Sequence, residues 1–198
     1  MARLTQEQLD FFDENGFVVV PDVIPHTILD NVITEYEGVL DSLIEELYVK
    51  GEISSRFEGL PFGERFMKLV IETGDVHKQY FDFSLPFANV QPDTPFWTGQ
   101  AVLDAFTCEP LIDVVSSIIG PEVYANPVQH VRIKPPESIL PTNDLGMPIM
   151  GATQWHQDNG VVIEEADETE MLTVWFSLED TDVEQGPLKI VPGSHRSG

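Results

Sequence analysis

The sequence predicts an α+β protein, helical over about residues 1–121 and β-rich over about 122–198. Three observations carry this. Apolar residues recur every three or four positions in the first half. Apolar and polar residues alternate in short runs through the second. The texture changes just after Gly120. Several short strands separated by polar turns suggest an antiparallel sandwich or barrel. A change of texture is not a boundary, so residues 1–198 are read as one domain.

The first helix opens on Thr5-Gln6-Glu7-Gln8, a capping-box pattern, with Leu9, Phe12 and Asp13 following at helical spacing. Gly16 stops it. The run FVVVP, 17–21, reads as a short strand ended by Pro21. A longer helix runs from about Pro25 to Lys50. Ile28, Val32, Tyr36, Val39, Leu43 and Leu47 form its apolar stripe, and Gly51 ends it. Residues 51–107 mix Gly, Pro and aromatics without a sustained period, as in GLPFGERF and SLPFANVQPDTPFW. They read as long loops with short elements lying over a pocket. EPLIDVVSSIIG, 109–120, is a helix closed by Gly120. VQHVRIKPP (128–136), ATQWHQD (152–158), MLTVWFSL (171–178) and PLKIVPG (187–193) are the strand-like runs.

Alternation assigns faces within these runs. Leu172, Val174, Phe176 and Leu178 form a core face; Met171, Thr173, Trp175 and Ser177 form the opposite one, suited to the wall of a polar cavity. In 129–134, Val131 and Ile133 share one face, and His130, Arg132 and Lys134 share the other, a basic patch able to receive an anion or simply to meet water. His156 and Asp158, two apart, project to one side and offer one imidazole and one carboxylate to a single ion. A second histidine would complete the two-histidine, one-carboxylate set of non-heme Fe(II) oxygenases. Alone, His-x-Asp is a weak signal.

Composition bounds the partners. A formal charge of −24 opposes nucleic acid and anionic membranes. One cysteine, Cys108, excludes an internal disulfide and a cysteine-based zinc site. The N-terminus lacks a signal-peptide pattern and no stretch reaches transmembrane length, so a soluble cytoplasmic protein is expected.

Several segments together resemble the phytanoyl-CoA dioxygenase family of Fe(II)- and 2-oxoglutarate-dependent oxygenases. They are LTQEQLDFFDENGFVVVPDVI, IIGPEV, HVRIKPPE, WHQD and TVWFSLEDTDVEQGPLKIVPGSHRSG, in the family's order and across most of the chain. The resemblance implies a double-stranded β-helix, a cupin-like jelly roll, behind N-terminal helices. It implies that His156 and Asp158 bind Fe(II) and are catalytic, and that His130, Gln157 and Trp175 hold 2-oxoglutarate. It implies hydroxylation of a C–H bond in a small metabolite or acyl-CoA by O2, with decarboxylation of 2-oxoglutarate to succinate. A carboxylate at Asp158 favours hydroxylation over halogenation.

The family's third ligand, a histidine, and the arginine that pairs with 2-oxoglutarate lie well beyond the PGSH turn. This sequence ends at Gly198, so the closing strands are expected to be missing. His195 and His130 are the candidate replacements for the third ligand, with His195 more readily a turn residue. Arg132 or Lys134 is the candidate replacement charge. Two alternatives stay open: a short form without catalysis that acts as a binding module, and a metal-binding cupin that uses no oxo acid.

Overall fold

The computed structural model describes residues 3–83, 99–125, 131–142, 144, 146, 153–161 and 169–197. The chain divides into two compact units. The first comprises Met1–Val32, Gln100–Tyr124 and Trp155–Gly198, the second Ile33–Gly99 and Ala125–Gln154.

The helices begin and end where local chemistry dictates. Helix α1 is Gln6–Asn15, and its capping box forms as the sequence requires: Thr5 accepts from the Gln8 amide while the Gln8 side chain accepts from the Thr5 amide. Gly16, at φ 80°, takes the left-handed conformation that ends the helix and donates its N–H to Phe12 O. Helix α2 spans His26–Lys50, within a residue of the range its apolar stripe predicts. Of that stripe, Val32, Tyr36, Val39, Leu43 and Leu47 are buried.

Residues 51–107 are more helical than the sequence suggests. Helix α3 is Phe62–Thr73, α4 is Lys78–Phe81 and α5 is Gln100–Thr107. Pro61 and Gly63 look like breakers, yet Pro61 is the N-cap of α3 and Gly63 sits in its first turn, where amides lack intrahelical partners anyway. Gly74 closes the helix at φ 67°. The expected loop SLPFANVQPDTPFW, 84–97, lies outside the described residues. Helix α6, Glu109–Ile119, follows the sequence reading, with Pro110 in its first turn.

Each unit has its own core. In the first, Ile24, Leu111 and Val115 are buried, and Ile28, Leu29, Phe106 and Leu172 pack against them. In the second, the Phe81 ring is fully buried, 4.6 Å from Phe66, 6.2 Å from Tyr36 and 6.4 Å from Phe62 between centroids. Leu40, Ile44, Leu69, Val70 and Val76 complete that core.

The strands depart most from expectation. The one sheet among the described residues is a two-stranded antiparallel ladder of β1 (Asp82–Phe83) and β2 (Val131–Arg132), with Asp82 opposite Arg132. Ile133 extends it by donating to Phe81 O at 2.8 Å. The runs at 17–21, 153–158, 171–178 and 187–193 carry no ladder. Of the expected core face, Leu172 packs against the first core and Leu178 is half-buried, while Val174 and Phe176 are 43% and 37% exposed. Alternation prepares a segment to be a strand, but a strand exists only where a neighbouring backbone supplies its hydrogen bonds. Among the described residues, the jelly-roll sheets are therefore not formed.

Candidate functional site

The site lies on an irregular loop. His156 and Asp158 lie where the chain enters a 3-10 turn, Asp158–Val161, which the Gly160 amide closes onto Gln157 O at 3.0 Å. His156 Nε2 is 3.1 Å from Asp158 Oδ1, and both side chains are about half exposed. The other carboxylate oxygen, Oδ2, accepts a hydrogen bond from Thr173 Oγ1 at 2.5 Å. That contact settles which edge of the carboxylate faces His156. A short hydrogen bond to an ionised acceptor is among the stronger polar contacts.

Between these two residues, Gln157 turns elsewhere. Its Nε2 donates to the Ser194 carbonyl at 3.0 Å. Ser194 belongs to the turn Ser194–Arg196, which Gly193 caps at φ 75°. That turn is fastened to the end of α1. The Gly193 amide donates to Asn15 O at 2.8 Å, His195 Nε2 to Asp13 O at 3.1 Å, and Arg196 Nη2 to the same carbonyl at 2.7 Å.

The donor chemistry fits part of a metal site. Imidazole and carboxylate donors bind first-row metals at about 2.1 Å, so two ligands at a right angle stand about 3.0 Å apart. The observed 3.1 Å between His156 Nε2 and Asp158 Oδ1 matches. Among the described residues no third His, Cys, Asp or Glu joins them. His195, a candidate for that place, has its Nε2 proton committed to Asp13 O and its ring against Gly16. His77 is buried in the second unit, where its Nε2 meets Thr73 Oγ1 at 3.2 Å. His26 opens α2 and is exposed. His130 lies outside the described residues.

Of the remaining candidates, Trp175 follows Thr173 by two positions and is half exposed. Arg132 is in the second unit and donates to Thr153 Oγ1 at 3.0 Å. Lys134 is exposed in the same unit. A groove of about 460 Å³ in the second unit also contains two arginines, but Arg56 is paired with Glu45 and Arg65 with Asp41. Both arginines are thus engaged by carboxylates of the same groove, and its lining carries no imidazole.

Sequence reasoning placed Thr173 on the polar face without giving it a partner. It missed Gly16, Asp13, Ser194 and Arg196 as parts of the loop's support. The signal available was the PGSH turn itself.

The model of the phytanoyl-CoA dioxygenase (PhyH) family matches residues 12–198, and the chain belongs to that family. The family is cupin-like in fold and generally depends on Fe(II) and 2-oxoglutarate. No curated protein and no solved structure matches the chain. Among the described residues, no helix is long and apolar enough to cross a membrane.

Proposed function

We propose that this chain is an Fe(II)- and 2-oxoglutarate-dependent dioxygenase that hydroxylates a C–H bond of a small metabolite or acyl-CoA, with His156 and Asp158 as two of its iron ligands. One observation carries the assignment: an imidazole nitrogen and a carboxylate oxygen at chelating distance, the carboxylate's other oxygen held by Thr173. Family membership supports the same reading. When bound, the metal with its oxo acid would supply the oxidising power for an unactivated C–H bond.

The protein's own part is geometric. His156 would present the Nε2 lone pair, which requires its ring proton on Nδ1. Asp158 would bind through Oδ1 alone, because Oδ2 is engaged by Thr173. Trp175, close in sequence to Thr173, and His130 are proposed as co-substrate contacts on the strength of the resemblance. So is Gln157, whose amide also bonds Ser194. The unpaired runs 171–178 and 187–193 are proposed as strands of the family's jelly roll.

The test is anaerobic Fe(II) titration with and without 2-oxoglutarate, following the visible charge-transfer band. A saturable band that disappears in His156→Ala and in Asp158→Ala is the expected result. If His130→Ala abolishes Fe(II) binding without 2-oxoglutarate, His130 is the third ligand; if it abolishes only the band, His130 is a co-substrate contact. Absence of any band from a folded chain would favour the binding module over the enzyme.

A further inference from the structure

We infer that the turn Gly193–Arg196 is a clamp that positions the His156–Asp158 loop through Gln157 and is itself set by the end of α1. The inference deepens the proposed function, since it rests on His156 and Asp158 forming the metal site.

The last carbonyls of any helix have no intrahelical partners and must be satisfied from outside. In α1, Phe12 O is taken by Gly16, the residue directly after the helix, but Asp13 O and Asn15 O are taken by Gly193, His195 and Arg196, about 180 residues along the chain. The Arg196 guanidinium is also 3.7 Å from the Asp13 carboxylate, and positive charge at a helix C-terminus is favourable in itself. Three donors on two carbonyls fix the turn's orientation, where a single bond would leave it free to pivot.

Gly16 completes the contact. Its φ of 80° suits glycine, and a Cβ there would overlap the His195 imidazole. The residue that ends α1 is thus also the seat of the His195 ring.

The clamp then acts on the loop at one point. Ser194 O accepts from Gln157 Nε2, and Gln157 lies between the two proposed ligands. No ladder holds residues 153–158, so side-chain tethers set where the loop sits. Gln157 is pulled toward the turn while Asp158 is held by Thr173 from another segment. The two tethers together fix where the loop that carries Nε2 and Oδ1 sits. Gln157, His195 and Gly16 are positioning residues in this scheme and touch no metal.

Two readouts on the intact chain test this. One is hydrogen exchange of the 155–161 amides in metal-free protein. The other is Co(II) affinity, followed by the metal's visible bands. The variants are Gln157→Met, which keeps size but lacks a donor, His195→Ala, Gly16→Ala and the double variant Gln157→Met/His195→Ala. An unchanged thermal melt excludes unfolding for each variant used. Each single variant is expected to speed exchange at 155–161 and weaken Co(II) binding about two- to tenfold, the equivalent of one hydrogen bond. The double variant should be no worse than Gln157→Met alone, because both changes cut one linkage. Unchanged exchange in His195→Ala and Gly16→Ala overturns the clamp, as do effects that multiply in the double variant. Co(II) binding indifferent to His156→Ala overturns the metal-site reading instead, and the exchange data alone then decide the clamp.

Discussion

Replacing Thr173 with valine tests the arrangement of the site most directly. Valine matches threonine in shape and removes only the hydroxyl. In the structure that hydroxyl makes one short hydrogen bond, 2.5 Å, to Asp158 Oδ2. A hydrogen bond to a charged group contributes about 1.5–3 kcal/mol where water is excluded. Asp158 is 45% exposed, so water can replace much of the lost bond, and about 1 kcal/mol is the appropriate figure. The expected loss is then about fivefold in Fe(II) or Co(II) affinity. Thr173→Ser, which keeps the donor, should restore most of it. Calorimetric titration of the three proteins measures the effect. If Thr173→Val binds metal as wild type does while His156→Ala does not bind, the carboxylate is positioned by something other than Thr173, and the argument from this hydrogen bond fails.

Two further outcomes concern stability. Phe81→Ala empties the centre of the second unit's core, where the side chain is fully buried against Phe66, Tyr36 and Phe62, and should cost about 3–5 kcal/mol in denaturant unfolding. His77 is buried, and that burial lowers its pKa from the ordinary 6.5, with the nearby Asp75 and Glu52 partly offsetting it. The unfolded chain therefore binds the proton more readily than the folded one. Stability should hold above about pH 6.5 and fall as pH drops below it toward the folded-state pKa, and His77→Gln should flatten that slope in melts taken across the range.

The helices show how far local rules reach. Thr5, Gln8 and Gly16 write both ends of α1 within the segment itself, and the stripe from Ile28 to Leu47 writes α2. Helix α3 obeys the same rules, although the sequence reads as loops with short elements there. Phe66, Leu69 and Val70 share its buried face and Gly74 ends it, but Pro61 and Gly63 disguised its start. The β half is different. The alternation at 171–178 is real, yet Val174 and Phe176 are exposed because no second layer covers them among the described residues.

The site divides along the same line. The two-residue spacing by itself determined that His156 and Asp158 approach each other, because neighbours that close in the chain have little freedom to separate. Which hydroxyl would hold Asp158 and where Gln157 would reach were decided by tertiary structure alone. So was the role of His195: the sequence left it a candidate ligand, and the structure binds it to the end of α1. The physical reason is the range of the interaction. A helix cap or an i, i+2 pair is closed within a few residues, at little entropic expense. A contact between Asp13 and Arg196 forms only once the fold has brought the two ends of the first unit together, and no local pattern in either segment encodes the other.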